Sequence, residues 1–249
     1  MPFNSPRFLF RRYELIRRVM GGDEFLEIGP GNLALAVELL THFRRGTLIE
    51  FNDVDARPIY EGLAPEHKQR LQLIIADFLE LDLKGRIFDC VLACDVLEHV
   101  EDDMRFLRQA RKCLRAGGQL IISVPARQKF WSTDDEIVGH FRRYERADLR
   151  AKLAEVGYSS IQLVSYGYPF QNIIRLARIA LARAQYREKG AWDRRLQTEQ
   201  SGFMLKNERG LRALGILVNK YTTYPLSLLA SPFKGMDLGE GYVATAVRP

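Results

Sequence analysis

The 249-residue sequence predicts an α/β fold, a doubly wound and mostly parallel sheet of seven strands. Two observations lead to it. Short, continuous apolar runs alternate with helical patterns of about ten residues, which is typical of parallel strands covered by helices on both faces. The length also suits one such domain with additions.

The elements follow in order along the chain. The predicted strands are FLEIG (25–29), GTLIEF (46–51), LQLIIADF (71–78), FDCVLACD (88–95), QLIISVPA (119–126), SSIQLVSYG (159–167) and GYVATAVRP (241–249). The predicted helices are LALAVELLTHF (33–43), RPIYEGL (57–63), DDMRFLRQARKCL (102–114) and RADLRAKLAEVG (146–157). Ligands of such sheets lie beyond the carboxyl ends of the strands, so the candidate site is the set of residues that follow them.

Four regions are expected: an N-terminal basic amphipathic helix (1–20), a cofactor-binding domain (21–167), a helical basic insertion (168–240) and the final strand (241–249). Between Phe170 and Gly215 there are ten Lys and Arg against four Asp and Glu. One helix of the insertion would place Ile173, Ile174, Ala177, Ala180, Leu181 and Ala184 on one face, and Arg175, Arg178, Arg183 and Arg187 on the other side. It is interpreted as a lid over an acceptor site, or alternatively as an interfacial helix on anionic lipid.

Composition restricts the classes of partner and the cellular location that we expect for the protein. The formal charge of +6 and pI near 9.3 favour anionic partners. No apolar run is long enough to span a bilayer, and arginines interrupt the N-terminus, which is therefore neither a signal peptide nor a membrane anchor. Three cysteines without a CxxC pair argue against disulfides and zinc. We expect a cytoplasmic protein, with peripheral contact at the inner membrane surface as the alternative.

The stretch FLEIGPGNLALA contains a glycine turn that raises the question of the cofactor. Gly29, Gly31 and Ala34 fit the dinucleotide pattern GxGxxG/A. However, Glu27 precedes the turn, where it would repel a pyrophosphate and would suit a ligand with a cationic amine. Glu50, at the end of the second strand, is placed to accept hydrogen bonds from ribose hydroxyls. Asp77 and Phe78 then offer an acceptor and an aromatic face to adenine.

As a set, LEIGPGN, LIEFND, IIADFLELDL, FDCVLACDVLEHVEDD and LRAGGQLIISVPA resemble class I S-adenosylmethionine-dependent methyltransferases, which have a Rossmann-like fold. The resemblance covers about residues 20 to 160 and is greatest to the small-molecule branch that includes ubiquinone-biosynthesis O-methyltransferases. It implies that the cofactor-binding residues are Glu27, Gly29, Pro30 and Gly31 for methionine and ribose, Glu50 and Phe51 for ribose, Asp77 and Phe78 for adenine, and Asp95 and Val96 near the methyl group. Leu33 departs from the pattern, because many members have a third glycine there.

Catalysis requires removal of a proton from the acceptor, for which histidine is well matched. His42 and His67 lie away from the strand ends, whereas His99 follows the fourth strand and His140 lies in STDDEIVGHFRRYERADL after the fifth. His140 is predicted to be the general base or an acceptor-orienting residue, and His99 a catalytic or cofactor-supporting residue.

The same segment supplies the predicted acceptor contacts, which are Trp131, Arg142, Arg143 and Tyr144, with one arginine gripping an anionic group. The alternative is an ordinary loop in which Asp134 and Asp135 form salt bridges with the arginines.

A divalent ion is a further alternative, since Asp95, Glu98 and His99, with His140, resemble the metal motif of some O-methyltransferases. No metal is favoured.

The predicted function is methyl transfer from S-adenosylmethionine to a small-molecule or lipid-linked acceptor at oxygen, with S-adenosylhomocysteine as product. The alternatives are transfer to nitrogen, a nucleic-acid methyltransferase, a non-catalytic cofactor-binding module and a dehydrogenase. Nucleic acid is disfavoured because no NPPY-like motif, catalytic cysteine context or recognition domain is found. Oligomeric state is not indicated by the sequence.

Overall fold

A computed structural model describes residues 6–173, 175 and 220–249. The strands are β1 (Gly22–Ile28), β2 (Phe43–Glu50), β3 (Leu71–Ile75), β4 (Phe88–Cys94), β5 (Leu114–Pro125), β6 (Ser159–Tyr166) and β7 (Gly241–Val247). The described helices are α1 (Pro6–Ile16), α2 (Ala34–Leu39), α3 (Asp53–Glu61), α4 (Pro65–Lys68), α5 (Asp103–Cys113), α6 (Thr133–Ile137), α7 (Arg146–Glu155) and α8 (Lys220–Leu229). Most of the predicted insertion lies outside the described residues, including Ile174, Ala177, Arg178, Ala180, Leu181, Arg183, Ala184 and Arg187.

The seven strands form one sheet in the order β3-β2-β1-β4-β5-β7-β6. Strand β1 pairs in parallel with β2 and β4, and these pair in parallel with β3 and β5. Strand β7 runs antiparallel to β5. Two hydrogen bonds show this direction: the Gly117 amide donates to the Arg248 carbonyl at one end, and the Ala126 amide donates to the Glu240 carbonyl at the other. The predicted seven-stranded, mostly parallel sheet is confirmed, and its order reverses between β1 and β4.

Register brings the strand ends together at one edge of the sheet. Ile28 of β1 pairs with Ile49 of β2 and with Ala93 of β4. Glu50 pairs with Ile75 of β3. The last four residues of β1 and residues 46–49 of β2 are buried without alternation. Apart from Glu27 and Thr47, these residues are apolar or small. The residues that follow β1, β2, β3 and β4 therefore meet on one side.

Local hydrogen bonds set several boundaries that the sequence pattern misplaced. Helix α2 ends before the predicted helix 33–43 does, because Thr41 and His42 donate to the Glu38 and Leu39 carbonyls and close a turn ahead of β2. Helix α3 begins at Asp53, earlier than the predicted helix at 57, because the Asn52 side chain accepts from the Val54 amide and caps it.

The contacts divide the chain into two compact units. The sheet unit contains residues 18–124, 147–163 and 244–249, and the α1–α8 unit contains residues 1–17, 125–146 and 164–243, as far as they are described. In the α1–α8 unit, the Tyr13 hydroxyl of α1 lies 2.9 Å from the Thr223 hydroxyl of α8. None of the described helices has the length and hydropathy needed to cross a membrane. All three cysteines are buried.

Close packing at Gly46 gives a first testable prediction. A Cβ atom at Gly46 would overlap the ring of Phe25, which is fully buried on the neighbouring strand β1. We expect Gly46→Ala to lower the free energy of unfolding by about 1–3 kcal/mol, the usual cost of overpacking a core. Urea denaturation measures it. Gly62→Ala is the control, since a Cβ atom there meets only ordinary contacts in a helical backbone conformation. Equal stability of both variants would contradict the packing argument.

Candidate active site

The glycine turn between β1 and α2 is formed by backbone conformations that favour glycine. Gly29 and Gly31 have φ angles of 65° and 54°. The Gly29 amide donates to the Ile49 carbonyl at 2.9 Å, and a side chain at this position would overlap Val96, which follows β4. No atom lies within 4 Å of a Cβ placed on Gly31. The turn is therefore closed against the protein at Gly29 and open at Gly31.

Leu33 stands at the third position of the turn, where the resemblance led us to expect glycine, and it has the left-handed conformation with φ 59°. That conformation costs an ordinary residue about 1–2 kcal/mol. The side chain of Leu33 is completely buried, and burial of a leucine contributes about 1.5–3 kcal/mol. Packing thus offsets the backbone strain, and the departure in sequence leaves the turn in place.

Glu50 connects the end of β2 to the glycine turn. Its Oε2 accepts a hydrogen bond from the Gly31 amide at 3.3 Å, and its Oε1 accepts from the amides of Phe51 at 2.9 Å and Asn52 at 3.4 Å. Burial raises the pKa of Glu50 above 4.5, although these three backbone hydrogen bonds act to lower it. All three hydrogen bonds come from backbone amides, so main-chain dipoles orient the carboxylate.

Glu27 is buried inside the sheet, one residue before β1 ends. In register it lies between Leu48 of β2 and Leu92 of β4. A carboxyl group thus lies immediately before the turn, where its ionised form would repel a phosphate group.

The end of β3 differs in part from the prediction. Asp77 is exposed, and its Oδ1 accepts from the Leu79 amide at 2.8 Å. Phe78 was expected to offer its ring to adenine, but that ring is buried and lies 5.1 Å from the ring of Phe106 in α5. The ring contributes to the core, and the assignment of Phe78 to the cofactor site stays a prediction. The exposed ring next to Glu50 belongs to Phe51.

Asp95 and Val96 follow β4, as predicted. The Asp95 amide donates to the Ser123 carbonyl of β5 at 3.0 Å, and the Ser123 hydroxyl donates to Asp95 Oδ1 at 3.1 Å. Asp95 has a φ of 55°, so the backbone turns in a left-handed conformation directly after the strand.

His99 lies in the short 3-10 helix Leu97–His99 and is partly exposed, whereas Glu98 beside it is buried. The metal hypothesis for Asp95, Glu98, His99 and His140 stays a prediction.

His140 belongs to a buried cluster in the α1–α8 unit. Asp135 Oδ1 lies 2.8 Å from His140 Nδ1 and accepts from Arg143 Nε at 2.8 Å. Asp135 Oδ2 accepts from the amide and the hydroxyl of Ser132, which caps α6. Both Asp135 and His140 are buried.

The charge state of Asp135 determines the tautomer of His140. Burial alone would raise the pKa of Asp135, but the hydrogen bond with His140 and the charge and hydrogen bond of Arg143 outweigh it and lower the pKa to about 2. An ionised carboxylate can only accept, so His140 Nδ1 carries the proton. In the neutral ring, Nε2 is then the nitrogen with the lone pair. The cluster orients the imidazole and makes Nε2 its basic atom.

The four predicted acceptor contacts separate into two pairs. Trp131 and Arg142 are partly exposed, and Trp131 Nε1 donates to Glu136 at 3.3 Å. Arg143 and Tyr144 are buried, and their role as acceptor contacts stays a prediction. Arg143 uses Nε on Asp135 and Nη1 on the Ala126 carbonyl at 3.3 Å, so it positions the cluster. The salt-bridged loop, the alternative interpretation of this segment, is therefore present at Asp135 and includes His140.

Two arginines near this cluster were not identified as site residues from the sequence. The guanidinium groups of Arg127 and Arg175 lie 4.2 Å and 4.6 Å from the centroid of the Phe130 ring. Arg127 donates to the Leu238 carbonyl at 2.8 Å, and Arg175 forms an ion pair with Glu240 at 3.4 Å. Since these partners are far along the chain, no local pattern signalled them. Asp135 was considered from the sequence as a salt-bridge partner of the arginines. Its position five residues before His140 could also have indicated that it holds the histidine.

Residues 26–122 match a family model described as a methyltransferase domain. A probable S-adenosylmethionine-dependent methyltransferase of Mycobacterium tuberculosis is 29% identical over 162 residues, which are 63% of this chain and 57% of the relative. The chain thus spans little more than half the length of that relative.

Two further proteins are similar over different extents. The 27-O-demethylrifamycin SV methyltransferase of Amycolatopsis mediterranei is 29% identical over 105 residues, or 41% of this chain and 38% of that protein. The structure of phosphoethanolamine N-methyltransferase 2 of Haemonchus contortus, in complex with S-adenosyl-L-methionine, aligns with a TM-score of 0.59 at 15% identity. It covers 96% of this chain and 52% of the other, and it establishes similarity of fold.

The Asp135 cluster gives a prediction of stability against pH. Because folding lowers the pKa of Asp135 from 3.8 to about 2, its ionised form stabilises the folded chain above about pH 4, and this contribution is lost as the pH falls toward 2. We expect Asp135→Asn to lower the free energy of unfolding by about 2 kcal/mol at neutral pH, with a smaller difference near pH 3. Urea denaturation at both pH values measures it.

Asp134→Asn is the matched control, since this neighbouring acid is partly exposed; its effect should stay within about 0.5 kcal/mol. A loss at Asp135 that is the same at pH 7 and pH 3 would contradict the linkage argument.

Proposed function

We propose that this chain, a class I S-adenosylmethionine-dependent methyltransferase by its domain and relatives, transfers a methyl group to oxygen of a small-molecule or lipid-linked acceptor in the cytoplasm. One observation carries the cofactor assignment. The Glu50 carboxylate accepts a hydrogen bond from the Gly31 amide, so the ribose-binding acid and the glycine turn form one unit.

The residues at the turn fit a sulfonium nucleoside better than a dinucleotide. The sequence Gly29-Pro30-Gly31-Asn32-Leu33 brings no basic side chain to the turn, and Glu27 precedes it. A pyrophosphate would face a buried carboxylate, whereas an amino acid's ammonium group would be attracted to it. Open space at Gly31 allows the ligand to approach the backbone.

Each cofactor contact is assigned from these positions. Glu27 would attract the ammonium group, Glu50 would accept hydrogen bonds from the ribose hydroxyls, and Phe51 would cover the adenine. Asp77 would accept from the adenine amino group, and Asp95 with Val96 would border the methyl group. When bound, S-adenosylmethionine supplies an electrophilic methyl group on sulfur.

His140 is proposed as the general base for the acceptor. Its Nδ1 is held by Asp135 at 2.8 Å, which leaves Nε2 as the proton-accepting nitrogen. Methyl transfer is an in-line displacement, so the protein must align the acceptor and take up its proton. Trp131 would pack on the acceptor and Arg142 would pair with its anionic group, since both side chains are partly exposed.

Transfer to nitrogen is the second candidate, because a protein of the same fold is named an N-methyltransferase. Labelled S-adenosylmethionine incubated with cell extract, followed by separate counting of lipid and aqueous phases, would find the acceptor. Mass spectrometry of the product distinguishes an O-methyl from an N-methyl group. Cofactor binding without label transfer to any fraction would overturn the proposal in favour of a non-catalytic module, and label in bulk nucleic acid would favour the nucleic-acid alternative.

We propose that no divalent ion takes part in the reaction. Activity should then survive dialysis against a chelator. Loss of label transfer that Mg²⁺ or Mn²⁺ restores would instead support the metal hypothesis for Asp95, Glu98 and His99 with His140.

The raised pKa of Glu50 gives a prediction for cofactor binding. The ionised carboxylate accepts from ribose hydroxyls, so protonation weakens binding. Because burial raises the pKa of Glu50, S-adenosylhomocysteine should bind more weakly at about pH 5 than at pH 7.5. Glu50→Gln should reduce affinity about ten- to a hundredfold at pH 7.5 and remove this part of the pH dependence. Isothermal titration calorimetry measures both effects.

Glu66→Gln serves as the matched control, because Glu66 is an exposed acid in α4. Unchanged affinity and pH dependence in Glu50→Gln would remove Glu50 from the cofactor site. Tighter binding of NAD than of S-adenosylhomocysteine by the unaltered protein would overturn the cofactor assignment itself.

A second prediction concerns the proposed base. We expect His140→Ala to reduce label transfer into the responsive extract fraction about 10²- to 10⁴-fold while S-adenosylhomocysteine affinity stays within about twofold. The control is His67→Ala, in α4 away from the strand ends, which should retain activity. Near-normal turnover by His140→Ala would contradict the assignment of the base.

A further inference from the structure

Helix α8 presents large apolar side chains to solvent. Tyr221, Tyr224, Leu228 and Leu229 are 77%, 46%, 49% and 65% exposed. Tyr221, Tyr224 and Leu228 are spaced i, i+3 and i+7, so they lie on one face of the helix. Thr223 and Ser227 lie on the opposite side of the helix and are buried. The apolar face of α8 therefore points away from its own unit.

Helix α1 borders this face with positive charge. Tyr13 of α1 donates or accepts a hydrogen bond with Thr223 at 2.9 Å, and its ring lies 5.3 Å from the ring of Tyr224. The guanidinium of Arg17, just after α1, lies 5.6 Å from the centroid of the Tyr224 ring. The two helices thus form one α1–α8 surface, composed of Arg17, Tyr221, Tyr224, Leu228 and Leu229.

The acidic side chain of α1 is buried and does not contribute to this surface. Glu14 is the one acid in the sequences of α1 and α8, and it is buried. It pairs with Lys234 at 2.7 Å and with Arg17 at 3.4 Å. Arg12 is partly exposed on the same helix. What the surface offers is cationic and apolar.

We propose that the α1–α8 surface docks on the headgroup region of an anionic lipid bilayer. Leucine side chains would enter the acyl boundary, tyrosine rings would lie at the interface, and arginines would pair with lipid phosphates. Charge complementarity favours anionic lipid, because a surface without exposed acid on either helix has no means of repelling a negative layer. Binding is peripheral, since no described helix can cross the bilayer.

This proposal does not depend on methyl transfer, since docking requires neither cofactor nor acceptor. If both hold, a lipid-linked acceptor becomes the favoured substrate class, because the protein would already lie where such molecules are found. Failure of lipid binding would leave the cofactor assignment unaffected, and failure of the cofactor assignment would leave the surface unaffected.

Co-sedimentation with vesicles tests the proposal. The full chain is expected to bind vesicles of phosphatidylglycerol and phosphatidylcholine at low salt, to bind phosphatidylcholine alone at least tenfold more weakly, and to lose affinity as salt is raised. Absence of binding at low salt, or equal binding to both kinds of vesicle, would overturn it. So would a concentration-dependent dimer, in analytical ultracentrifugation, that Leu229→Ser abolishes, because the face would then bind a second copy.

Variants assign the binding to this surface. The double change Leu228→Ser and Leu229→Ser should weaken partition to anionic vesicles about tenfold or more, and Arg17→Gln should weaken it about fivefold. Val54→Ser and Ile87→Ser are matched controls, because both are exposed apolar residues of the sheet unit. Thermal melts check folding. If the double variant unfolds, the single change Tyr221→Ser replaces it, because Tyr221 is the most exposed of the four apolar side chains. Unaltered partition in the surface variants, or an equal loss in the controls, would refute the assignment.

Discussion

Parallel pairing of β1 with both β2 and β4 is the constraint on which the candidate cofactor site depends. It aligns Ile28 with Ile49 and with Ala93, so three segments that are distant in sequence end at the same edge. Only then can the Gly31 amide reach Glu50, and only then can Val96 pack against Gly29. A slip of one residue in β2 would turn its side chains to the opposite face of the sheet. The geometry of the site therefore depends first on strand register and only then on the identity of the site residues.

Much of this arrangement could be predicted from the sequence, because apolar runs and glycine turns are local signals. The seven strands, the turn and Glu50 follow from them. Phe78 could not be assigned, since an aromatic residue after a strand has the same pattern whether it faces a ligand or Phe106. Arg127 and Arg175 were missed because both lie on Phe130 through tertiary packing and their carbonyl and carboxylate partners follow residue 236.

The two central carboxylates are stabilised in different ways, and the difference bears on function. Asp135 is saturated by His140, Arg143 and Ser132, which holds its pKa near 2 and makes it a positioning group. Among the residues that the structure describes, Glu50 accepts hydrogen bonds from backbone amides alone, and burial raises its pKa above the ordinary value. A carboxylate held by dipoles alone gains more from new donors than one already paired with cations. Glu50 is accordingly the acid suited to a ligand, and Asp135 the acid suited to orienting a base.

Leu33 shows which features of the glycine turn are needed at each position. Gly29 requires both a left-handed backbone and the absence of a side chain, because Val96 fills the adjoining space. Gly31 requires the same conformation, and its open side would be occupied by the ligand. At Leu33 only the backbone conformation is retained, while the side chain is accommodated in the core. A larger residue is tolerated at the third position because that position faces the protein interior, so its cost in backbone strain can be offset by packing. Packing cannot offset a side chain in this way at the first two positions. A side chain at Gly29 would overlap Val96, and one at Gly31 would occupy the space proposed for the ligand.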